Sequence, residues 1–306
     1  MKIENLYDSH VHWQMTGESR LGLRLHQIKN KKTLRDLKIE THHRRGNWIV
    51  GFGWDENHFD SSLFPHRKFL DECFPDEPVF FTRVDGHSCW VNTKGLKLLG
   101  FDQSQNPSFQ KFKTMIRTDE NGIPNGILDE TAHMRVYEIL PPQSNSTVKS
   151  YLKEGMNEFL KNGFTHIRDM TGGETLWTLA HELENEGDLN FFAEINFNFE
   201  KYQNIDQHIE QMKYFKTFET KQLKLRGVKI FYDGSLGSHS ALLSQDYGDQ
   251  PGVRGMSLWE KAEFQEVLQK TWHANLDLCV HTIGDQAVHD ISNGHVKFPP
   301  AVLVEK

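Results

Sequence analysis

The segment Leu6-Tyr7-Asp8-Ser9-His10-Val11-His12 carries two histidines two residues apart. If residues 3–9 form a β-strand, His10 and His12 lie at its C-terminal end and point to one face, because strand side chains alternate. Two imidazoles a few ångströms apart can bind one metal ion. A strand end that happens to hold two histidines explains the pair equally well, so a metal site requires further ligands downstream.

Composition sets the class of protein. The 306 residues include 37% hydrophobic and 11% aromatic residues, enough for the core of a soluble α/β protein. The net charge is −7 and no basic block is present, so we expect neither a nucleic-acid nor a membrane partner. Three widely spaced cysteines without a Cys-x-x-Cys pair, and an N-terminus without an apolar signal core, indicate the cytoplasm.

Strands that alternate with helical stretches predict parallel βαβ units. The apolar runs that can form barrel strands are five in number, and they cover residues 3–9, 164–169, 190–197, 227–232 and 277–282. We therefore predict an incomplete (β/α)₈ barrel, an α/β fold of about five parallel units within a single domain over 1–306.

The chain between the first and second barrel strands predicts an α+β insertion over 46–145. The spacing of apolar residues predicts a helix over 19–45 before it and a second helix over 127–140. Residues 101–126 contain two Asn-Gly-type turn signals and are predicted to be a loop. After Asp285 no sixth, seventh or eighth barrel strand can be fitted, apart from one short strand that residues 301–304 could form without supplying a ligand.

Two more potential metal ligands lie on predicted strands. Lys229 lies inside an apolar strand, where a charged amine is costly to bury. In a structural role, Lys229 lies at the rim of the sheet or pairs with Asp233. In a functional role, it is kept neutral and chemically modified so that it can bind metal. His281 ends the next strand, where it either caps the strand by hydrogen bonding or completes a metal site.

Several motifs in series resemble the metal-dependent amidohydrolase superfamily, and in particular amidohydrolase family 3, the YtcJ-like branch. They run in order over nearly the whole chain. They are Asp8-Ser9-His10-Val11-His12, Gly51-Phe52-Gly53-Trp54-Asp55, Asp85-Gly86-His87-Ser88-Cys89-Trp90, Gly122-Ile123-Pro124-Asn125-Gly126, Val228-Lys229-Ile230-Phe231-Tyr232-Asp233-Gly234-Ser235 and His281-Thr282-Ile283-Gly284-Asp285.

The resemblance implies a (β/α)₈ barrel with one or two divalent metals, zinc, manganese or iron, at the C-terminal ends of its strands. His10, His12, Lys229 and His281 match the family's metal ligands, and Lys229 matches the lysine that carries a metal-bridging carbamate. The implied reaction is hydrolysis of an amide-like, non-peptide C–N bond of a small molecule by metal-activated water. The resemblance also implies substrate binding by His87, Trp54 and Asp233.

The sequence departs from the family at both ends. The family's β-sandwich, its last barrel units and the aspartate that shuttles the proton have no counterpart here, so no catalytic residue is assigned. We expect a truncated chain with two open sheet edges, which favour a homo-oligomer or a missing complementary fragment. The alternative to an active hydrolase is a catalytically inactive remnant that still binds metal.

Overall fold

The fold comes from a computed structural model, which describes residues 5–86, 88–236, 239–292 and 304–305. Short 3₁₀ turns lie at Thr41–His43, Glu56–His58 and Lys113–Met115. In chain order the strands and helices are β1 (Leu6–Val11), α1 (Trp13–Leu21), β2 (Leu23–Arg24), α2 (Lys31–Arg35), β3 (Arg44–Arg45), β4 (Trp48–Trp54), α3 (Arg67–Cys73), β5 (Val79–Arg83), β6 (Ser88–Val91), α4 (Thr93–Leu99), α5 (Pro107–Phe112), β7 (Ile116–Thr118), β8 (Pro124–Asp129), α6 (Glu130–Ile139), α7 (Asn145–Lys161), β9 (Phe164–Gly172), α8 (Glu174–Asn185), β10 (Phe192–Asn198), α9 (Ile205–Lys216), β11 (Leu223–Phe231), α10 (Lys261–His273), β12 (Asp277–His281), α11 (Asp285–Ser292) and β13 (Val304–Glu305).

The chain divides into two compact units. The barrel unit combines Met1–Gly17 with Val148–Lys306, and the inserted unit is Glu18–Thr147. The inserted unit therefore starts earlier than residue 46, the start expected from the sequence for the insertion.

The barrel unit is built on one parallel sheet in the order β1-β9-β10-β11-β12-β13. The first five of these strands form a curled half-barrel, which confirms the predicted incomplete barrel. The one short strand that the sequence allowed after Asp285 overlaps the two-residue β13, which pairs in parallel with β12.

Helices of the barrel unit cover this sheet with one apolar face each. In α8 the buried residues recur every three or four positions, as the pitch of an α-helix requires. Helices α1 and α7 approach each other closely at Gly17 and Gly155, where a β-carbon on Gly17 would overlap the carbonyl of Tyr151. Together the strands and helices bury one continuous apolar core that includes Trp13, Trp177 and Phe264.

The inserted unit contains a mixed sheet in the order β2-β4-β5-β6-β8-β7, with β3 paired to β4. The predicted helix over 19–45 is wrong, since Gly22 follows the end of α1 and the Asn30 side chain caps only the short α2. The loop predicted over 101–126 is also wrong: it contains α5, β7 and part of β8, and the helix predicted from 127 starts at 130. Local spacing misled both predictions because buried strands and helices share apolar residues.

Among the described residues, none of the helices has the length and apolar character needed to cross a bilayer.

Candidate metal centre

The histidine pair lies at the C-terminal end of β1. His10 is on the strand, His12 follows it directly, and their ring centroids lie 5.5 Å apart. The His12 Nδ1 lies 3.2 Å from the hydroxyl oxygen of Thr171 at the end of β9. This contact orients the His12 ring and leaves its Nε2 for another partner.

Lys229 lies on β11 and its side chain is 1% exposed, so it does not lie at a solvent-exposed rim. Its Nζ lies 5.4 Å from the centroid of the Phe231 ring, within the range of a cation–π contact. A lysine inside a parallel sheet is unusual enough to require a role, because burial disfavours its charged form.

His281 ends β12, next to Phe231, with ring centroids 5.0 Å apart. Its Nε2 lies 3.3 Å from the carbonyl oxygen of Gly234, so the histidine also has the capping contact that we considered as the alternative. If Nε2 donates to that carbonyl, the lone pair of the neutral ring is on Nδ1.

The structure brings these four side chains into one electrostatic neighbourhood. Burial lowers the pKa of His12, and His10, Lys229 and His281 lower that pKa further. Burial also lowers the pKa of His281, against a raising effect of the Gly234 carbonyl, while Lys229 and His10 lower it. Both rings are therefore held toward the neutral form, which is the form that binds a metal ion.

Asp169 supports the histidine pair through backbone hydrogen bonds, although no motif in the sequence marked it as a site residue. One carboxylate oxygen accepts the backbone N–H of Trp13 at 2.7 Å, and the other accepts that of Thr171 at 2.9 Å. Asp169 thereby joins the chain just after His12 to the residue that orients the His12 ring. A carboxylate at the end of an apolar strand, as in Phe164–Asp169, was the signal in the sequence.

The donor set fits a divalent cation in chemical type. Neutral imidazoles and an oxygen-bearing modified lysine suit zinc, manganese or iron. Within the part of the chain that the structure describes, no three His, Cys, Asp or Glu side chains are close enough together to hold an ion.

The three residues predicted to bind substrate have different environments. His87 lies outside the described residues. Trp54 is 1% exposed in the core of the inserted unit, and its indole N–H donates to the Phe81 carbonyl, so substrate contact by Trp54 remains a prediction. Asp233 is buried, and its carboxylate accepts backbone N–H groups of Leu242, Ile283 and Gly284. Asp233 thus holds two loops beside His281, and its contact with substrate also remains a prediction.

Comparison with known proteins identifies the family. The model of the Amidohydrolase family, Amidohydro_3, matches residues 6–294. The chain is 25% identical to YtcJ of Bacillus subtilis (strain 168), which is named as an amidohydrolase, over 96% of this chain and 55% of that protein. It is 27% identical to protein LONG AFTER FAR-RED 3 of Arabidopsis thaliana, over 93% of this chain and 50% of that protein.

Two solved structures have the same fold over most of this chain. An uncharacterized metal-dependent hydrolase from Pyrococcus furiosus matches with a TM-score of 0.70 and 29% identity, over 93% of this chain and 56% of that one. A second from Pyrococcus horikoshii OT3 matches with a TM-score of 0.71 and 27% identity, over 93% and 54%. The chain spans about half the length of these relatives. Since the family model covers nearly all of it, the chain belongs to the amidohydrolase family.

Proposed function

We propose that the chain carries the metal centre of a hydrolase that cleaves a C–N bond, of the non-peptide amide type, in a small molecule. The observation that supports this proposal is the position of His10, His12, Lys229 and His281 at or near the C-terminal ends of β1, β11 and β12, which are strands of one parallel sheet. In parallel α/β barrels the strand ends at this side form the active site. Membership of the amidohydrolase family supports the same reaction class.

In this proposal the three histidines hold a divalent cation, with zinc preferred, through neutral ring nitrogens. Lys229 contributes oxygen ligands as a carbamate: the neutral amine attacks carbon dioxide, an N–C bond forms, and one proton leaves the nitrogen to solvent. The bound cation supplies Lewis acidity toward a carbonyl and acidifies water. Water adds to the carbonyl carbon, the C–N bond breaks, and the nitrogen leaves as an amine with the proton that water gave up.

The residues of the chain have defined tasks in this scheme. Thr171 fixes the ring of His12, and Asp169 fixes Thr171 and the chain after His12. Asp233 and the Gly234 carbonyl fix the surroundings of His281. These contacts keep the ligands in place, as supporting contacts around metal ligands do in other metal sites.

Metal content and hydrolysis test the proposal together. Purified protein is loaded with zinc, manganese or iron, its metal is measured by elemental analysis, and a panel of N-acyl compounds is assayed. The matched pair of variants is His12→Ala, which removes a ligand, and His273→Ala, which changes an exposed histidine at the end of α10. We expect metal binding and turnover in the wild type and the His273 variant, and loss of both in the His12 variant.

The second candidate is an inactive chain that still binds metal. It is favoured by the sequence, in which no aspartate could be assigned as the proton shuttle. Metal bound through His12 without turnover of any N-acyl compound would support this candidate against the hydrolase. A wild type that binds no divalent metal would contradict both candidates.

The compartment is part of the proposal. Three widely spaced cysteines without a paired motif suit the cytoplasm, where thiols stay reduced. Fractionation of the source cells followed by immunodetection of the chain checks this assignment.

A further inference from the structure

Asn198, at the end of β10, has a buried oxygen for which the described residues provide no hydrogen-bond donor. The orientation of its amide is fixed chemically: Nδ2 donates to the Glu200 carboxylate at 2.6 Å, and a carboxylate accepts but does not donate. The group left over is therefore the carbonyl oxygen Oδ1. A buried acceptor without a donor is destabilising, and its presence in a native protein calls for a partner.

The sheet places Asn198 beside the candidate metal centre. Asn196, two residues earlier, bonds Arg168 and contacts Cys279, and side chains two apart on a strand share a face. Lys229 pairs in register with Asn198 on one side and with Cys279 on the other. Asn198 and Lys229 are thus neighbours on the same face of adjacent strands, which are about 4.8 Å apart.

Burial decides which donor can reach the oxygen. Oδ1 is shielded from solvent, so a solute has no access to it in this arrangement, whereas Lys229 is itself buried next to it. As an ammonium, Lys229 faces the Phe231 ring at 5.4 Å. As a carbamate it carries negative charge, so the attraction to the ring face is lost, and its nitrogen keeps one N–H that needs an acceptor.

We propose that Asn198 is a positioning residue for Lys229: its Oδ1 accepts the N–H of the carbamylated lysine and holds the carbamate toward the histidine ligands. This inference rests on the proposed function, because it uses the carbamate of Lys229. Glu200 takes part indirectly: by accepting from Asn198 Nδ2, it fixes the amide in the orientation that leaves Oδ1 free to accept from Lys229.

The test is a spectroscopic signature of the carbamate in three variants of the full chain. Protein is incubated with ¹³C-labelled bicarbonate and zinc, and the carbamate carbon is observed by NMR. Asn198→Leu keeps the size and removes the acceptor, and Asn185→Leu makes the same change at an exposed position at the end of α8. The double variant Asn198→Asp with Glu200→Gln reverses the direction of the hydrogen bond and still leaves one oxygen for Lys229.

We expect the carbamate signal in the wild type, the Asn185 variant and the double variant, and its loss in Asn198→Leu. The dissociation constant for zinc should rise about 10- to 100-fold in Asn198→Leu only, as is typical when a group that supports a metal ligand is removed. Circular dichroism establishes that each variant is folded, and rescue by the double variant excludes a general packing effect.

The outcomes separate the two proposals. A carbamate signal and zinc affinity that persist in Asn198→Leu would overturn the role of Asn198 and leave the proposed metal centre intact. A wild type without a carbamate signal would overturn the lysine bridge itself, and the role of Asn198 with it.

Discussion

Replacing Asp169 by asparagine tests how the histidine pair is supported. Asp169 is 0% exposed, and its two oxygens accept N–H groups from Trp13 and Thr171. Asparagine has a single acceptor oxygen, so its amino group would face one of these N–H donors. Such a mismatch in a buried site lowers the free energy of unfolding by about 1–3 kcal/mol at every pH.

The ionisation of Asp169 adds a second effect that depends on pH. Burial raises the pKa of Asp169 to about 6, against the lowering effect of the backbone N–H groups of Trp13 and Thr171. The folded protein therefore binds this proton more tightly than the unfolded chain, in which the pKa of the carboxyl is near 3.8. The corresponding stability is present below about pH 4 and is lost as the pH rises through about 6. At about 1.4 kcal/mol per tenfold change in proton affinity, the loss totals about 3 kcal/mol.

Urea unfolding of the wild type and Asp169→Asn from pH 5 to pH 8 measures this loss. Roughly half of this loss of stability falls between pH 5 and pH 8. The free energy of unfolding of the wild type should therefore fall by about 1.4 kcal/mol relative to that of the variant over this range. Effects of the histidines occur in both proteins and cancel in the difference. The control Asp206→Asn, at a 66% exposed side chain in an ion pair with Lys270, should change little with pH. A difference between wild type and Asp169→Asn that is the same at pH 5 and pH 8 would refute the raised pKa.

Three further predictions concern other parts of the barrel unit. Gly17→Ala should lower the free energy of unfolding by at least about 1–3 kcal/mol, because the new β-carbon would overlap the backbone of α7. Gly248→Ala, where the β-carbon enters open space, should leave stability unchanged, and thermal unfolding of both variants compares them. Zinc at 100 times its dissociation constant from the wild type should stabilise the wild type by about 2.7 kcal/mol in urea unfolding; an equal gain by His12→Ala at the same zinc concentration would show that His12 is not a ligand. Asp233→Asn should speed hydrogen exchange of the Ile283 amide, measured by mass spectrometry, because one oxygen acceptor is lost; unchanged exchange would contradict the loop-holding role.

The barrel strands could be predicted from the sequence because parallel strands buried on both faces form continuous apolar runs. β10 and β11, for example, lie where the runs at 190–197 and 227–232 predicted them, although β11 starts earlier. The inserted unit was less predictable. Apolar residues between 19 and 45 are buried in short strands and turns of a mixed sheet, and only tertiary packing separates these from a helix.

The candidate metal ligands could be proposed from motifs, but the groups proposed to support them could not. Asp169, Thr171 and Asn198 reach the candidate centre through distant pairings, such as the bond from Trp13 to Asp169 and the register of Asn198 with Lys229. Register between strands is a property of the assembled sheet, and no local pattern encodes it.

The bond between Trp13 and Asp169 also has a consequence for synthesis of the chain. The two residues lie 156 positions apart, so at about 5–20 residues per second β1 emerges from the ribosome roughly 10–30 s before β9. During that time the inserted unit can begin to fold, while β1 lacks its partner strand β9. β1 can stay exposed to water for this time, because only Val11 of its six residues is buried in the finished sheet and the others remain at least partly exposed there. We expect the histidine pair to take its place beside β9 before Lys229 and His281, which are synthesised later, join the centre.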